Sequence, residues 1–422
     1  MFSNYKEALE YLYANLPIFQ RIGAAAYKAD LNNTIELLAA LGNPEKKFKS
    51  VHVAGTNGKG SSSHMLASIL QTAGYKTGLY TSPHLKEFTE RIRIDGKEVA
   101  QEFVVEFVNK IRPAIERIKP SFFEITVAMA FEYFAVNKVD MAVIEVGLGG
   151  RLDSTNVIIP VVSLITNISY DHKDLLGDTL HKIAFEKAGI IKKGVPVVVS
   201  ELQAETFNIF VEKAKEANAP ISFASETATA RIEGDNLITD EFEVPGFPLR
   251  GIYQEKNVCG VLKTIEVLTQ SGFSIPTKAV IDGLSHVTTN TGLKGRWQTI
   301  GRAPLTICDT GHNEAGMAQV LRQIMREKFR RLFFVIGMVK DKDLGGMLSQ
   351  LPKDATYFFC QANIPRALPA ADLAEDAKAF GLNGSVVPDV NDAIAAARKT
   401  AAPDDLVFVG GSTFIVAEID NL

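Results

Sequence analysis

The chain of 422 residues contains only three cysteines, Cys259, Cys308 and Cys360, and a single tryptophan, Trp297. The cysteines are far apart, form no C-x-x-C pair and cannot all be bridged. That excludes a disulfide framework and fits a reducing cytoplasm, with each thiol a small buried hydrophobe. No apolar run approaches about 18 residues, so no membrane-spanning helix is expected. Met1 to Leu16 mixes Lys6, Glu7 and Glu10 with apolar residues, which reads as an amphipathic helix and not as a secretory signal. Excess charge is also missing: 45 Lys and Arg against 49 Asp and Glu leave a net −4. That is too little of either sign to build a nucleic-acid or anionic-membrane surface. Internal repeats and low-complexity tracts are absent.

What is present is an ordinary globular composition, 46% hydrophobic and 22% charged, in a chain long enough for two or three domains. Short β-branched runs alternate with helical stretches, an α/β pattern. Strands are expected at Val51–Ala54, Thr77–Thr81, Met141–Glu145, Val161–Ile165 and Val195–Val199, with helices such as Gln101–Ile118 and Phe122–Asn137 between them. Runs that are almost wholly apolar, such as Met141-Ala142-Val143-Ile144, point to a parallel sheet covered on both faces. Residues 223–252 break the alternation with turn signals and read as a small antiparallel excursion. Helices at Gln254–Gln270 and Pro276–Val287 follow. The polar stretch Thr288–Gly295 is the expected linker, dividing a first domain of residues 1–292 from a second of 293–422. The second series places strands at Leu305–Asp309, Arg331–Ile336, Ala355–Phe359 and Leu406–Val409. A core-facing stripe of Met317, Val320, Leu321, Ile324 and Met325 lies on the helix Ala315–Glu327.

The chemistry concentrates after strand ends, where open α/β sheets bind ligands. Gly55-Thr56-Asn57-Gly58-Lys59-Gly60-Ser61 joins a strand to a helix N-terminus. Its backbone N–H groups and the helix dipole suit phosphate, Lys59 adds a point charge and the Ser61 hydroxyl is a magnesium donor. The loop departs from the standard pattern, since Val53 and Gly60 stand where glycine and a hydroxyl residue are usual. Thr81-Ser82-Pro83-His84-Leu85 follows the next strand. Glu145 ends a third and is followed by Gly147-Leu148-Gly149-Gly150, in the usual place for a magnesium ligand. Asp171-His172 offers a carboxylate and an imidazole after the fourth. Lys187 closes a helix that begins near Leu180; local sequence alone makes it a solvated or dipole-pairing lysine. In the second half, Asp309-Thr310-Gly311-His312-Asn313 follows a strand, and Arg296 beside the linker has a guanidinium suited to phosphate. Trp297 is expected to pack between the domains.

In this order the motifs resemble the folylpolyglutamate synthase / dihydrofolate synthase family of Mur-ligase-like, ATP-dependent amide ligases. The carriers are G-T-N-G-K-G-S at 55–61, T-S-P-H-L at 81–85, E-R-I-R-I at 90–94, E-V-G-L-G-G-R-L-D-S-T-N at 145–156 and D-H at 171–172. E-K-A-G-I-I at 186–191, Q-x-x-N at 254–257, G-R-W at 295–297, D-x-G-H-N at 309–313 and G-M-V-K-D-K-D at 337–343 continue it. Gly60 separates this pattern from the similar peptidoglycan ligases, which place threonine directly after the lysine.

The resemblance implies a P-loop-type, mostly parallel sheet domain followed by a smaller Rossmann-like α/β domain. It implies ATP and Mg2+, with dihydropteroate, folates and L-glutamate as small-molecule partners, in a cytoplasmic monomer. Residues 55–61 would hold the triphosphate. Ser61, Ser82, Glu145 and His172 resemble magnesium ligands, and Lys187 matches a lysine carried as a carbamate, an anion that can join them. Gln254 and Asn257 match positions near the adenine, although Tyr253 stands where the family often has His. Arg296 and Asp309 match nucleotide-contacting positions, with His312 beside them. Ser82 and His84 are placed for substrate, and Leu152, Asp153 and Ser154 resemble part of the pterin-binding stretch. Lys59, His172, Lys187 and His312 are the expected catalytic set.

The remaining alternatives are a Mur-type ligase, which lacks an evident N-terminal UDP-binding domain here, and a non-enzymatic ATP-binding switch. The motifs are shared by dihydrofolate synthases, folylpolyglutamate synthases and bifunctional enzymes. Phe19-Gln20-Arg21-Ile22-Gly23 through Gly42-Asn43-Pro44, where bifunctional members carry a pterin-contacting loop, tilts the reading toward bifunctionality.

Overall fold

The computed structural model describes residues 1–17, 30–340, 344–420 and 422. Phe19–Gly23, and Asp341 to Asp343 of the 337–343 motif, lie outside the described residues. The chain divides into two compact units. One comprises Met1–Pro248 and Gln254–Leu293, the other Leu249–Tyr253 and Lys294–Leu422. Residues 249–253, which the sequence reading leaves in the first domain, thus cluster with the second unit.

The first unit is built on eight strands: β1 (Lys49–Ala54), β2 (Thr77–Tyr80), β3 (Ile92–Ile94), β4 (Lys97–Glu98), β5 (Met141–Glu145), β6 (Val162–Ile165), β7 (Val197–Val199) and β8 (Ile221–Phe223). Their order is β4-β3-β2-β5-β1-β6-β7-β8. From β2 to β8 all pairings are parallel, and β3 and β4 add an antiparallel edge. The register Val53↔Glu145 and Val53↔Leu164 brings the ends of β5, β1 and β6 level. Every residue of β5 is buried, as a strand covered on both faces requires.

The helix Phe122–Val136 shows how the cover forms. Ser121 and Glu124 make a capping box, the Ser121 hydroxyl accepting from Glu124 N at 3.3 Å and the Glu124 carboxylate from Ser121 N at 2.5 Å, which satisfies two orphan donors. Phe122, Ile125, Ala128, Met129 and Phe131 then enter the core.

A separate three-stranded antiparallel sheet, β9 (Ala230–Glu233), β10 (Asn236–Thr239) and β11 (Glu243–Val244), forms the expected excursion. It extends no edge of the large sheet. The expected linker is partly helical: Val287–Thr291 is a helix, held where Thr291 Oγ1 meets His64 Nδ1 at 2.8 Å and Asn290 Nδ2 donates to Ser68 Oγ at 3.0 Å. Only the residues after Thr291 are free of it.

The second unit has six strands: β12 (Gln298–Arg302), β13 (Leu305–Cys308), β14 (Leu332–Ile336), β15 (Thr356–Phe359), β16 (Gly384–Val386) and β17 (Leu406–Gly410). The order is β12-β13-β17-β14-β15-β16, parallel except for the β12–β13 pair. Met317, Val320 and Ile324 of the helix Glu314–Ile324 are buried, but Met325 falls past the last turn and is 77% exposed. Trp297 belongs to the core of this unit, its ring 6.0 Å from that of Phe408. All three cysteines are free and buried, and no helix among the described residues is long and apolar enough to cross a membrane.

Candidate active site

Four neighbouring parallel strands, β2, β5, β1 and β6, deliver Ser82, Glu145, Gly55 and Asn167 to the same edge of the sheet. β1 runs into the glycine loop, and the helix Lys59–Thr72 starts immediately after Gly58. Two glycines are obligatory. Gly55 has φ +141°, and a Cβ there would lie 1.8 Å from Thr166 Oγ1; Gly58 has φ +86°, and its Cβ would lie 2.2 Å from Asn257 Oδ1. Both conformations exclude ordinary L side chains.

The loop is clasped to the segment after β6. Thr56 N donates to Asn167 O at 2.8 Å, Asn57 N to Asn167 Oδ1 at 3.1 Å, and Thr166 Oγ1 to Asn57 O at 2.6 Å. Sequence reasoning overlooked Thr166; a hydroxyl residue directly after a buried strand was the available signal. On the other side Gln254 Nε2 donates to Ser61 Oγ at 3.0 Å, and Asn257 Nδ2 to Gln254 Oε1 at 2.8 Å. Gln254 is wholly buried. The pair expected near adenine therefore braces the loop's serine in this state, with no edge of Gln254 open to a ligand.

Two lysines meet at one carbonyl. Lys59 Nζ donates to Gly55 O at 3.0 Å and to Thr56 O at 3.1 Å, and Lys187 Nζ donates to the same Gly55 O at 2.9 Å. Lys187 ends the helix Leu180–Ala188 and is only 4% exposed, so the solvated lysine that local sequence implies is overturned. Burial chiefly, and then the charge of Lys59, pull its amine down to about 7, against the opposing pull of Asp171 and Asp153. A buried amine with that affinity for protons is substantially neutral, hence nucleophilic, near neutrality.

Glu145 is buried, and its Oε2 accepts from Ser82 N at 3.0 Å. His172 has a left-handed backbone, φ +49°, and its N–H donates to Asp171 Oδ1 at 2.9 Å. His84 Nδ1 accepts from Arg91 Nε at 2.7 Å, and the guanidinium lies over the Phe122 ring. Burial and then Arg91 push the imidazole down to about 2, so it stays neutral. Leu152 is half-buried, while Asp153 and Ser154 are buried in the turn beyond Gly150. Among the described residues, no three of His, Cys, Asp and Glu gather into a metal-binding group.

In the second unit, Asp309 directly follows β13, is 3% exposed and accepts from Tyr253 Oη at 2.5 Å, Trp297 N at 2.8 Å and Gly311 N at 2.8 Å. Burial raises its carboxyl, and the tyrosine and Arg296 oppose that. Arg296 donates to Thr310 Oγ1, and His312 Nδ1 donates to Thr310 O at 3.0 Å. Tyr253, which replaces the family's frequent histidine, is thus tied to the acid of its own unit.

The family model described as the Mur ligase middle domain matches residues 53–259, and the Mur ligase glutamate ligase domain matches residues 295–413. The chain is 33% identical to the dihydrofolate synthase/folylpolyglutamate synthase of Bacillus subtilis, over 99% of both chains. Among solved structures, Escherichia coli FolC in complex with DHPP and ADP superposes with a TM-score of 0.86 at 30% identity, covering 98% of this chain and 96% of that one. The bifunctional folylpolyglutamate synthase/dihydrofolate synthase from Yersinia pestis, complexed with AMPPNP and Mn, gives 0.84 at 30% identity, with 98% and 97% coverage. A glycine-loop sheet with a buried second lysine, a second, mostly parallel sheet with Asp309 just past β13, and full-length similarity to these three enzymes lead to one assignment: the chain belongs to the folylpolyglutamate synthase / dihydrofolate synthase family.

Proposed function

We propose that the chain is an ATP-dependent ligase joining L-glutamate to dihydropteroate and to the γ-carboxylate of folates, both activities in one polypeptide. The observation that carries this reading is the 4%-exposed Lys187 donating to the carbonyl that Lys59 also uses. A simple ATPase loop has no use for a second buried amine. A ligase has one, because a neutral buried amine can become a carbamate, an anion that would help hold the metal between the nucleotide and the substrate carboxylate.

In the reaction the substrate carboxylate attacks the γ-phosphate of ATP, giving an acyl phosphate and ADP. The neutral amino group of glutamate then adds to the acyl carbon, and the tetrahedral species expels inorganic phosphate. Positioning and charge neutralisation are the main tasks. Lys59 leaves the Gly55 and Thr56 carbonyls to follow the phosphate oxygens, while the N–H groups of residues 55–61 cradle them. Arg296 offers a planar guanidinium to phosphate. Asp309 and His312 serve nucleotide or glutamate from the second unit, and His84, Leu152, Asp153 and Ser154 receive the pterin substrate. Gln254 and Asn257 remain assigned to the nucleotide, acting through Ser61.

Magnesium, when bound, neutralises charge on the triphosphate. The residues that would hold it are Ser61, Ser82, Glu145, His172 and Lys187. As an ammonium Lys187 does not fit a hard cation. As a carbamate it does: the neutral amine adds to carbon dioxide, an N–C bond forms, one proton leaves and two oxygens face the site. Its pKa of about 7 supports that chemistry.

We further infer a cytoplasmic location, in keeping with three free buried cysteines, and a monomer, as the family resemblance implies. The test measures glutamate-dependent ADP release with dihydropteroate and tetrahydrofolate side by side. Release with both is expected. Release with one alone would withdraw bifunctionality, and release with neither would overturn the ligase reading.

A further inference from the structure

Beneath the glycine loop runs a buried hydrogen-bonded chain that ends at Asp153 and whose first two members, His52 and Thr155, none of the proposed chemistry uses. His52, on β1 three residues before Gly55, is wholly buried. Its Nε2 lies 2.9 Å from Thr155 Oγ1, and its Nδ1 is buried without a hydrogen-bond partner. Thr155, also wholly buried, donates its hydroxyl to Asp153 Oδ1 at 2.5 Å. Thr155 N donates to the same oxygen at 2.9 Å, and Leu148 N donates to Asp153 Oδ2 at 2.8 Å.

The polarity of this chain follows from counting protons. Thr155 has one hydroxyl hydrogen. With Asp153 ionised, that hydrogen points at the carboxylate, so Thr155 must accept from His52, which is then the Nε2–H tautomer. The idle Nδ1 is then a bare lone pair. The reverse polarity would strand a buried Nδ1–H donor, the less tolerated orphan. Burial keeps the imidazole neutral, down to about 3, so no charge disturbs the order. Donors therefore run from β1 toward Asp153 and fix the plane of its carboxylate. Gly147 N also hydrogen-bonds the carboxylate, so its roughly four lone-pair directions are all filled by protein, and Asp153 ties the Gly147-Leu148 backbone to Thr155.

We propose that His52 and Thr155 are positioning residues for substrate recognition: they orient Asp153, whose carboxylate holds the Gly147-Leu148 backbone and with it the shape of the turn that receives the pterin substrate. This rests on the assignment of Leu152, Asp153 and Ser154 to the pterin substrate given above. It ties the strand that carries the nucleotide loop to the turn that receives the second substrate.

The test compares Thr155→Val, Thr155→Ser, His52→Leu and Asp153→Asn, measuring KM for dihydropteroate, KM for ATP and kcat, with thermal unfolding as a control. A hydrogen bond to a carboxylate corresponds to about tenfold in affinity. Thr155→Val and His52→Leu should raise the dihydropteroate KM about tenfold, leaving kcat and the ATP KM near wild type. Thr155→Ser, which keeps the hydroxyl, should restore it. Should His52→Leu fail to fold, the Val and Ser pair at Thr155 decides alone. An unchanged KM in Thr155→Val beside a raised one in Asp153→Asn overturns the relay and leaves the pterin assignment standing. An unchanged KM in Asp153→Asn removes the assignment itself, and the relay with it.

Discussion

Lys187 is the residue whose replacement separates the physics most cleanly. Its amine falls from 10.5 to about 7 on folding, a depression of 10.5 − 7 = 3.5. Between those two values the unfolded chain holds a proton that the folded chain has released. Stability therefore rises with pH across that window, and the full burden of the buried amine is felt below pH 7. At about 1.4 kcal/mol for each tenfold, the burden is about 5 kcal/mol at pH 6 and about 2 kcal/mol at pH 9. Lys187→Met removes the titration and keeps the bulk. In metal-free protein kept free of carbon dioxide, urea unfolding should find the variant more stable than wild type by about 3 kcal/mol more at pH 6 than at pH 9. The difference between variant and wild type cancels the titrating groups that do not interact with Lys187; Lys59, Asp171 and Asp153 do interact with it. A difference flat in pH would refute the buried, neutralised amine. The same variant should retain nucleotide binding and lose turnover, whereas Lys187→Glu, which supplies a carboxylate, should recover part of it. Turnover of wild type should also fall on removing carbon dioxide and return with bicarbonate.

Three further outcomes follow from the geometry. Gly58→Ala places a Cβ against Asn257, whose amide is held by Gln254 and cannot swing away; nucleotide affinity should fall at least about tenfold in equilibrium titration, given strain of about 1–3 kcal/mol. Tyr253→Phe removes the hydroxyl donating to buried Asp309 at 2.5 Å; the loss, about 1.5–3 kcal/mol for a hydrogen bond to a charged group, should lower the melting transition of the second unit. Ser121→Ala breaks the capping box with Glu124 and should destabilise the first unit by about 1 kcal/mol in urea unfolding, with activity unchanged.

The strand ends were legible because parallel strands covered on both faces must be apolar throughout, and Met141–Glu145 spells that out. β3 was not, since Arg93 interrupts it; the arginine is buried there and pairs with Glu98 at 3.0 Å. β12 and β16 are short, partly exposed edges whose sequence has no period to read. The P-loop announced itself locally through glycines and lysine. The support beneath it did not, because Gln254 and Ser61 are 193 residues apart and nothing in either segment names the other. Lys187 shows the same limit: on its helix it looks like any solvated lysine, and only the packing of that helix against the Gly55 loop buries it.

Leu249–Tyr253 belongs with the second unit although both flanking segments belong to the first. Its Ile252 N donates to Gln323 Oε1 at 2.9 Å, and its Tyr253 hydroxyl covers Asp309. The second unit is therefore not inheritable as one uninterrupted stretch of gene. A fragment beginning at Lys294 would fold around an aspartate missing its tyrosyl cover, and a recombination event that moved residues 294–422 into another protein would leave that residue behind. Supplying a peptide spanning residues 249–253 to such a fragment should raise its melting point.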